Sequence, residues 1–168
     1  MSKLLIGFVK LTGWPVQWVC FRTKITYENR AVQSRRIKGS AIVVSNHTSL
    51  FDYAVLLFVF FGRILCTQMA ELLFKKGLLG PFLKGMGGIY VDRDSHNLGF
   101  VQQSIAILEK GGVVCVFPEA RLARPGEERP LPFQTSPFYI ALESGAPIIP
   151  GYTNGSYFQK KRARVRIG

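Results

Sequence analysis

The chain has 168 residues, of which 48% are hydrophobic and 19% are charged. This length suits one domain with its own core, and this composition excludes an intrinsically disordered chain. The formal charge of +12 predicts an anionic partner, either nucleic acid or a membrane surface with acidic lipids.

The first 38 residues predict a membrane-associating segment. Residues 4–21 are apolar but are interrupted by Lys10 and Pro15, and they contain both tryptophans of the chain, which favour the membrane–water interface. A spanning helix needs about 20 mostly apolar residues. We therefore expect an apolar helical anchor that lies in the interface, with a true span as the alternative, and a domain boundary at residue 38.

The position of the basic residues favours a membrane over nucleic acid. Lysines alternate with leucine and phenylalanine over residues 72–84, a mixture typical of surfaces that bind the headgroup layer. No zinc-finger, homeodomain or RNP pattern is present, so no nucleic-acid partner is expected. Three scattered cysteines without a CxxC pair predict neither a disulfide framework nor a metal site, and they favour a cytosol-facing location.

Residues 39–168 alternate between strand and helix patterns. Strands are predicted at 41–45, 63–67, 88–91 and 113–117, with another beginning at 147 and a solvated or lipid-facing one around Arg164 and Arg166. Helices are predicted at 49–61, 71–84 (as two short helices divided by Gly77 and Pro81), 97–110 and 138–144, with a loop at 122–132. This alternation predicts an α/β fold with a mixed, largely parallel central sheet flanked by helices.

The most informative motif follows the first of these strands and reads Asn46-His47-Thr48-Ser49-Leu50-Phe51-Asp52. Histidine is the natural general base near neutral pH, and a carboxylate on its far ring nitrogen would fix the required tautomer. Asp52 can do this only if His47 lies in the turn and Asp52 in the first helical turn, because positions i and i+5 do not share a helix face. Asp52 also fits a capping box with Ser49 at the N-cap, and the two roles are compatible.

Two other predicted strands end in charged residues. Asp92 and Arg93 follow one of them, and Glu119 and Arg121 follow the other. Because ligands of parallel sheets bind beyond the carboxyl ends of the strands, we expect these groups to converge with His47. Each arginine offers the fork geometry that grips a phosphate, although either could instead form a structural ion pair.

The chain lacks a recognisable nucleophile for covalent catalysis, since no serine, cysteine or lysine stands in a setting such as GxSxG. His47 and Asp52 therefore suit activation of a substrate hydroxyl for direct attack on an acyl group. A covalent enzyme intermediate is the less favoured route.

These blocks, in this order, resemble the glycerophospholipid acyltransferase family, specifically its 1-acylglycerol-3-phosphate (lysophosphatidic acid) acyltransferases. Residues 46–52 are similar to the family's NHxSxxD block, residues 71–93 to its second block, and residues 117–121 to its FPEGTR-like third block. Residues 132–133 and 146–150 resemble the segments that follow. Several ordered blocks are far more specific than any one of them.

The resemblance implies an enzyme that moves a fatty acyl group from acyl-CoA or acyl-carrier protein to the sn-2 hydroxyl of 1-acylglycerol-3-phosphate, giving phosphatidic acid. It implies that His47 is the base and that Asp52 orients it. The residues implied to place the phosphate are Arg93, Glu119 and Arg121, and those implied to line the site are Asn46, Ser49, Gly88, Pro118, Pro147, Ile148 and Pro150. No metal and no other cofactor is expected, and the expected location is the cytoplasmic face of a membrane, as a monotopic or peripheral protein.

The chain departs from the family pattern in two ways. Ala120 stands where the third block has glycine, and the arginine comes one place early, so that either Arg121 or Arg124 is the candidate phosphate ligand. Relatives continue with more sheet and helix after the last block, so we expect a fragment or a minimal member. Two alternatives stay open: a different acceptor, such as glycerol 3-phosphate or another lysophospholipid, and a non-catalytic lipid-binding member of the fold. No oligomeric state is predicted.

Overall fold

The computed structural model describes residues 2–92, 98–159 and 162–168. Its strands, in chain order, are β1 (Lys24–Tyr27), β2 (Ala41–Ser45), β3 (Leu65–Ala70), β4 (Gly88–Val91), β5 (Val113–Val116), β6 (Ile148–Thr153) and β7 (Arg164–Ile167). Its helices are α1 (Lys3–Val16), which continues as a π-helical turn over Gln17–Phe21, α2 (Asp52–Val59), α3 (Glu71–Phe74), α4 (Leu79–Gly85), α5 (Gly99–Glu109) and α6 (Ser136–Ser144).

A seven-stranded sheet joins these strands in the order β1-β7-β6-β2-β5-β3-β4. The five strands from β6 to β4 in this order are parallel to one another, whereas β7 is antiparallel to β6 and β1 is parallel to β7. The predicted α/β fold with a mixed, largely parallel sheet is therefore confirmed. The parallel strands end at one common edge, and the ends of β2, β5 and β6 are neighbours there.

Two apolar layers hold the helices against the sheet. Successive side chains of a strand point to opposite faces, so Val43 packs in the layer that contains α2 whereas Ile42 packs in the layer that contains α5 and α6. Because helices cover both faces, β2 is almost entirely buried and reads as a continuous apolar run. The central strands are thus a rigid support for whatever follows them at the edge.

The N-terminal helix lies against the domain with one face and exposes an apolar face on the other side. Ile6 and Lys10 are buried, and the Lys10 ammonium donates hydrogen bonds of 2.6 Å to each of the carbonyl oxygens of Phe61 and Arg63. The exposed face carries Leu4, Phe8, Leu11 and Trp18. Among the described residues, the helical run Lys3–Phe21 is the one long and apolar enough to cross a membrane, by length and composition alone.

The observed elements differ from the predicted ones chiefly at their ends. α2 begins at Asp52 instead of residue 49, because the Asp52 carboxylate accepts a hydrogen bond from the Ser49 backbone and holds the preceding residues in a turn. β3 covers Leu65–Ala70 instead of 63–67, and the Arg63 guanidinium is used to cap the carbonyl groups of Ile37 and Gly111. The start of the helix predicted at 97–110 falls partly outside the described residues.

The remaining points concern two prolines and the strands β1 and β7. Pro81 lies in the first turn of α4 instead of dividing two helices, at a position where a helix has no partner for the missing N–H. Pro137 similarly allows α6 to begin earlier than residue 138. β1 was not predicted: it lies before the expected boundary at residue 38, yet it pairs with β7 in the sheet. β7 was predicted as a strand, and its arginines are exposed while Val165 and Ile167 are buried.

Candidate active site

The candidate site lies at the edge where β2, β5 and β6 end. The Asn46 side chain follows β2 and makes two hydrogen bonds with the backbone of Thr153 at the end of β6: its Nδ2 donates to the carbonyl oxygen at 2.9 Å and its Oδ1 accepts from the N–H at 2.7 Å. Asn46 therefore locks two strand ends together. This contact positions the next residue along the chain, His47.

His47 and Asp52 form the hydrogen bond that their spacing allows. His47 lies in the turn after β2 and Asp52 is the first residue of α2, and His47 Nδ1 lies 2.9 Å from Asp52 Oδ2. The side chain of Asp52 is fully buried, while that of His47 keeps 18% of its surface exposed. An ionised carboxylate only accepts hydrogen bonds, so Nδ1 carries the proton and Nε2 is left as the acceptor nitrogen. Within the described residues, Nε2 has no hydrogen-bond partner.

Asp52 is held by five donors. Its Oδ2 accepts from His47 Nδ1 and from the backbone N–H groups of Thr48 (2.6 Å) and Ser49 (2.8 Å), and its Oδ1 accepts from Thr48 Oγ1 (2.9 Å) and the Tyr157 hydroxyl (2.6 Å). Burial alone raises the pKa of Asp52, but the hydrogen bonds from His47, Tyr157, Ser49 and Thr48 outweigh it and the pKa lies below its ordinary value. Asp52 is therefore an ionised carboxylate locked in one orientation.

The predicted capping box is present in part. The carboxylate of Asp52 reaches back to the N–H of Ser49, as the acid at the fourth position of a capping box does. The Ser49 hydroxyl instead accepts from the N–H of Phe51 at 3.2 Å. Because α2 begins at Asp52 with Phe51 at its N-cap, the predicted N-cap at Ser49 is not formed. Asp52 orients His47 and holds the turn, which Ser49 supports.

Glu119 lies beside His47, but its carboxylate contacts the backbone of His47 and not the imidazole. Oε1 of Glu119 accepts from the N–H of His47 at 2.9 Å, and Oε2 accepts from the N–H of Leu131 at 3.0 Å. Glu119 is 4% exposed, and the residue before it, Pro118, is also buried. This geometry does not fit the expected role in placing a phosphate, since both carboxylate oxygens are engaged and a buried negative charge repels an anion. Glu119 instead ties the loop after β2 to the loop after β5.

The ring of Phe117 stacks on the imidazole of His47, with centroids 4.4 Å apart and an interplanar angle of 21°. Phe117 follows β5 directly, so the adjacent strand supports the imidazole from one face. Phe117 and Tyr157 both contact the histidine–aspartate pair, yet neither was named among the candidate site residues. Phe117 lies inside the third sequence block and could have been included, whereas Tyr157 is 105 positions away from Asp52 and carries no spacing signal.

Arg121 of the third block and Arg124, three residues later, are exposed in the loop that follows β5. Arg121 makes a bidentate ion pair with Glu127, with Nη1 to Oε2 at 2.6 Å and Nη2 to Oε1 at 2.9 Å, and the backbone N–H of Arg124 donates to the same carboxylate at 2.8 Å. The hydrogen bonds from Arg121 and from the Arg124 backbone hold the pKa of Glu127 at about 2. The Arg121 side chain is 43% exposed, so solvent screens this pair.

Ala120 has a left-handed backbone conformation, with φ of 58°. This conformation is costly for any residue with a Cβ atom, and glycine adopts it freely. This left-handed conformation explains why the family's third block has glycine at this position. Here the chain keeps the conformation with alanine.

Several residues expected to line the site lie elsewhere. Pro147 and Ile148 are at the opposite end of β6, where the Pro147 carbonyl accepts from Ile42 at the start of β2, and Pro147 lines a surface depression at that edge. Pro150 pairs with Val44, three residues before His47. Gly88 begins β4, and a Cβ atom there would meet the Leu83 carbonyl oxygen at 2.9 Å. The glycine therefore allows α4 to pack closely against β4. The segment of β6 that reaches the site is its last residue, Thr153.

Arg93 lies outside the described residues, so its place relative to His47 stays a prediction. Among the residues that the structure describes, no group of three histidine, cysteine, aspartate or glutamate side chains is placed to hold a metal ion.

Comparisons with known proteins point to one family. A sequence model of the acyltransferase family matches residues 23–153. A 1-acyl-sn-glycerol-3-phosphate acyltransferase from Limnanthes alba is 28% identical over 138 residues, which are 80% of this chain and 48% of that protein. A protein of the same name from Cocos nucifera is 23% identical over 160 residues, which are 94% of this chain and 49% of that protein. The chain thus spans about half the length of these plant relatives.

The fold is similar to that of a solved bacterial protein. The crystal structure of the 1-acyl-sn-glycerophosphate (LPA) acyltransferase PlsC from Thermotoga maritima matches with a TM-score of 0.67 and 21% identity. The match covers 97% of this chain and 67% of that protein. At this identity the likeness establishes the architecture.

Proposed function

This chain belongs to the acyltransferase family, and on that premise we propose that it transfers a fatty acyl group from a thioester to the sn-2 hydroxyl of 1-acylglycerol-3-phosphate. The product is phosphatidic acid, and the donor is acyl-CoA or acyl-carrier protein. The observation that carries the proposal is the hydrogen bond between His47 Nδ1 and the buried Asp52 carboxylate, which leaves Nε2 as a base. The names of the two plant relatives support the choice of acceptor.

In this mechanism His47 Nε2 takes the proton of the acceptor hydroxyl as the hydroxyl oxygen attacks the thioester carbonyl carbon. The tetrahedral intermediate then expels the thiolate, and the imidazolium returns the proton to the sulfur. The new ester bond and the free thiol are the products, and His47 ends neutral. Asp52 holds the ring and stabilises its positive charge during the step.

We assign the acceptor phosphate to Arg121. Its guanidinium already binds a carboxylate with two parallel hydrogen bonds, which is the geometry that a phosphate would use after displacing Glu127. The Arg124 side chain is the alternative ligand, although its backbone, and not its guanidinium, contacts Glu127. The assignment of Arg93 to the same phosphate rests on its place in the sequence.

We further propose that the domain sits on the cytoplasmic face of a membrane as a monotopic protein. The exposed apolar face of α1, together with Leu78 and Phe82 near α4, supports contact with lipid. Arginine and lysine exceed the acidic residues by 12, which suits acidic headgroups.

The test is thiol release from palmitoyl-CoA by the purified chain in anionic vesicles, with and without 1-acylglycerol-3-phosphate. We expect acceptor-dependent release that His47→Ala abolishes, while the same replacement at the other histidine, His96→Ala, leaves it intact. A parallel assay with palmitoyl-loaded acyl-carrier protein covers the second donor. Absence of release with both donors, from a folded and vesicle-bound chain, would refute the proposal.

A further inference from the structure

We propose that Tyr157 is a positioning residue for the His47–Asp52 pair: its hydroxyl, backed by Thr153, holds one oxygen of Asp52 so that the other faces His47. The kinetic part of this inference rests on the proposed acyltransferase function. The structural part does not, because it concerns a hydrogen bond that can be observed without turnover.

The hydrogen bonds form a directed chain into the carboxylate. Thr153 Oγ1 lies 2.6 Å from the Tyr157 hydroxyl, which lies 2.6 Å from Asp52 Oδ1. An ionised carboxylate cannot donate, so the Tyr157 proton points to Asp52 and the Thr153 proton points to Tyr157. Donors linked in this way polarise and strengthen one another. All three side chains are buried, with exposed fractions of 6% for Tyr157, 1% for Thr153 and 0% for Asp52.

Tyr157 differs from the other donors to Asp52 in its origin. Those donors come from His47, Thr48 and Ser49, which lie within five residues of Asp52 and move with the same turn. Tyr157 comes from the segment between β6 and β7, on a different part of the sheet. Its hydroxyl therefore ties the carboxylate directly to the segment that follows β6, a contact that the local donors do not make.

The backbone around Tyr157 is shaped for this approach. Gly155 has a left-handed φ of 65°, and a Cβ there would meet Thr48 Oγ1 at 2.7 Å. Only glycine lets this segment run so close to the turn that carries His47. The Tyr157 N–H donates to the Gly155 carbonyl at 2.8 Å, and the Gly155 N–H donates to Thr153 Oγ1 at 3.3 Å. The segment from Thr153 to Tyr157 is thus a folded unit that delivers the hydroxyl.

The ring of Tyr157 is held independently of its hydroxyl. It packs edge-on against Phe21 with centroids 5.5 Å apart, and Phe21 also contacts Phe51 and Phe158. Replacement of Tyr157 by phenylalanine therefore removes the hydrogen bond and keeps the packing. This makes Tyr157→Phe the appropriate variant.

Loss of the hydroxyl has a predictable electrostatic sign. A donor on Oδ1 draws negative charge away from the carboxylate, so its removal leaves more charge on Oδ2. That charge favours the protonated form of His47, which is inactive as a base. The acid limb of the pH–rate profile should therefore move to higher pH, and kcat should fall because the ring is less well held.

The experiment compares the wild-type chain with Tyr157→Phe and with Tyr139→Phe, a control in which an exposed tyrosine on α6 loses the same hydroxyl. We expect Tyr157→Phe to lower kcat about tenfold or more with little change in the acceptor KM, since a hydrogen bond to a charged group is lost. The control should match wild type. Thr153→Val removes the donor behind Tyr157 together with the acceptor of the Gly155 N–H, and it should lower kcat and move the acid limb in the same directions by less.

A second readout needs no activity. The chain has two histidines, so the imidazole resonances of labelled protein resolve His47 beside His96 as an internal reference. The half-protonation pH of the His47 resonance should be higher in Tyr157→Phe than in wild type, with His96 unmoved. An unchanged His47 titration in both folded variants, Tyr157→Phe and Thr153→Val, would overturn the inference. Lack of turnover by wild type would refute the proposed function alone, because the titration still decides the role of Tyr157.

Discussion

The two halves of the candidate site are built in opposite ways. At His47 and Asp52 the polar groups are buried, and each oxygen of Asp52 accepts hydrogen bonds from fixed donors. At Arg121 and Glu127 the charges form an ion pair that solvent can reach. A buried network is costly to break and holds one geometry, whereas an exposed pair exchanges partners at little cost. On the proposed function, the fold preorganises the base, and the proposed phosphate ligand is free to change its partner.

The largest expected effect is on the buried half. Asp52→Asn should lower kcat about a thousandfold or more, because the amide can donate to His47 Nδ1 and select the wrong tautomer. Thiol release under saturating substrates measures the loss, with Glu109→Gln, at an exposed carboxylate of α5, as the matched control. Activity within tenfold of wild type in Asp52→Asn would show that the buried pair is not the catalytic base, and the contrast between the halves would lose its functional meaning.

The same variant tests the ionisation of Asp52 through stability. The pKa of Asp52 is lowered in the folded chain from its ordinary value of 3.8, because hydrogen bonds outweigh burial. A carboxyl whose pKa is lower when folded contributes stability above its unfolded pKa, and this contribution is lost as pH falls through the folded pKa. Urea unfolding below about pH 4 should therefore show a steeper loss for wild type than for Asp52→Asn. Parallel losses would mean that the donors around Asp52 are not formed in solution.

Glu119 joins the buried half to the loop after β5, so its replacement should lower the free energy of unfolding more than it lowers kcat. Glu119→Gln puts an amide N–H₂ where an acceptor is needed, and it leaves one buried N–H, of His47 or Leu131, unpaired. We expect a loss of about 1–3 kcal/mol in the free energy of unfolding. Glu143→Gln, on the exposed face of α6, is the control and should be neutral. Equal stability of the two variants would refute the bridging role.

The exposed half should respond in substrate affinity. Arg121→Ala is expected to raise the KM for a phosphate-bearing acceptor about tenfold with kcat nearly unchanged, since a charge-assisted contact is removed. Arg124→Ala should have little effect, because the structure uses the backbone and not the side chain of Arg124. The reverse result would move the phosphate to Arg124. An acceptor without phosphate should be insensitive to both changes.

The smallest expected effect is at Ala120, between the two halves. Glycine would relieve the left-handed conformation but would lose more entropy on folding, so Ala120→Gly should stabilise the chain by at most about 1 kcal/mol. Ala106→Gly inside α5 makes the same replacement in an ordinary helical position and should destabilise by about 1 kcal/mol. Thermal unfolding compares the two. A loss of stability in both would show that Ala120 is not strained.

The sequence by itself determined the features that rest on local pattern. The alternation of apolar runs with amphipathic helices predicted the α/β fold, and the common direction of parallel strands predicted that His47 and Glu119 lie at one edge, as they do. The spacing of His47 and Asp52 predicted that they could meet across a turn, and in the structure they are in hydrogen-bond contact. Each of these follows from residues that are neighbours along the chain or from the common direction of parallel strands.

Only the tertiary structure decided which distant groups surround that pair. Tyr157 reaches Asp52 because β6 lies beside β2, and Phe117 reaches His47 because β5 lies on the other side of β2. The expected role of Glu119 was not supported, because sequence shows a charge but not that buried N–H groups surround it. Pro147 was similarly expected at the site, but it precedes the six-residue strand β6, whose other end reaches the site. Pro147 therefore lies at the opposite end of the strands. Spacing along the chain specifies a turn, while contacts across the sheet depend on strand order and length, which no local pattern encodes.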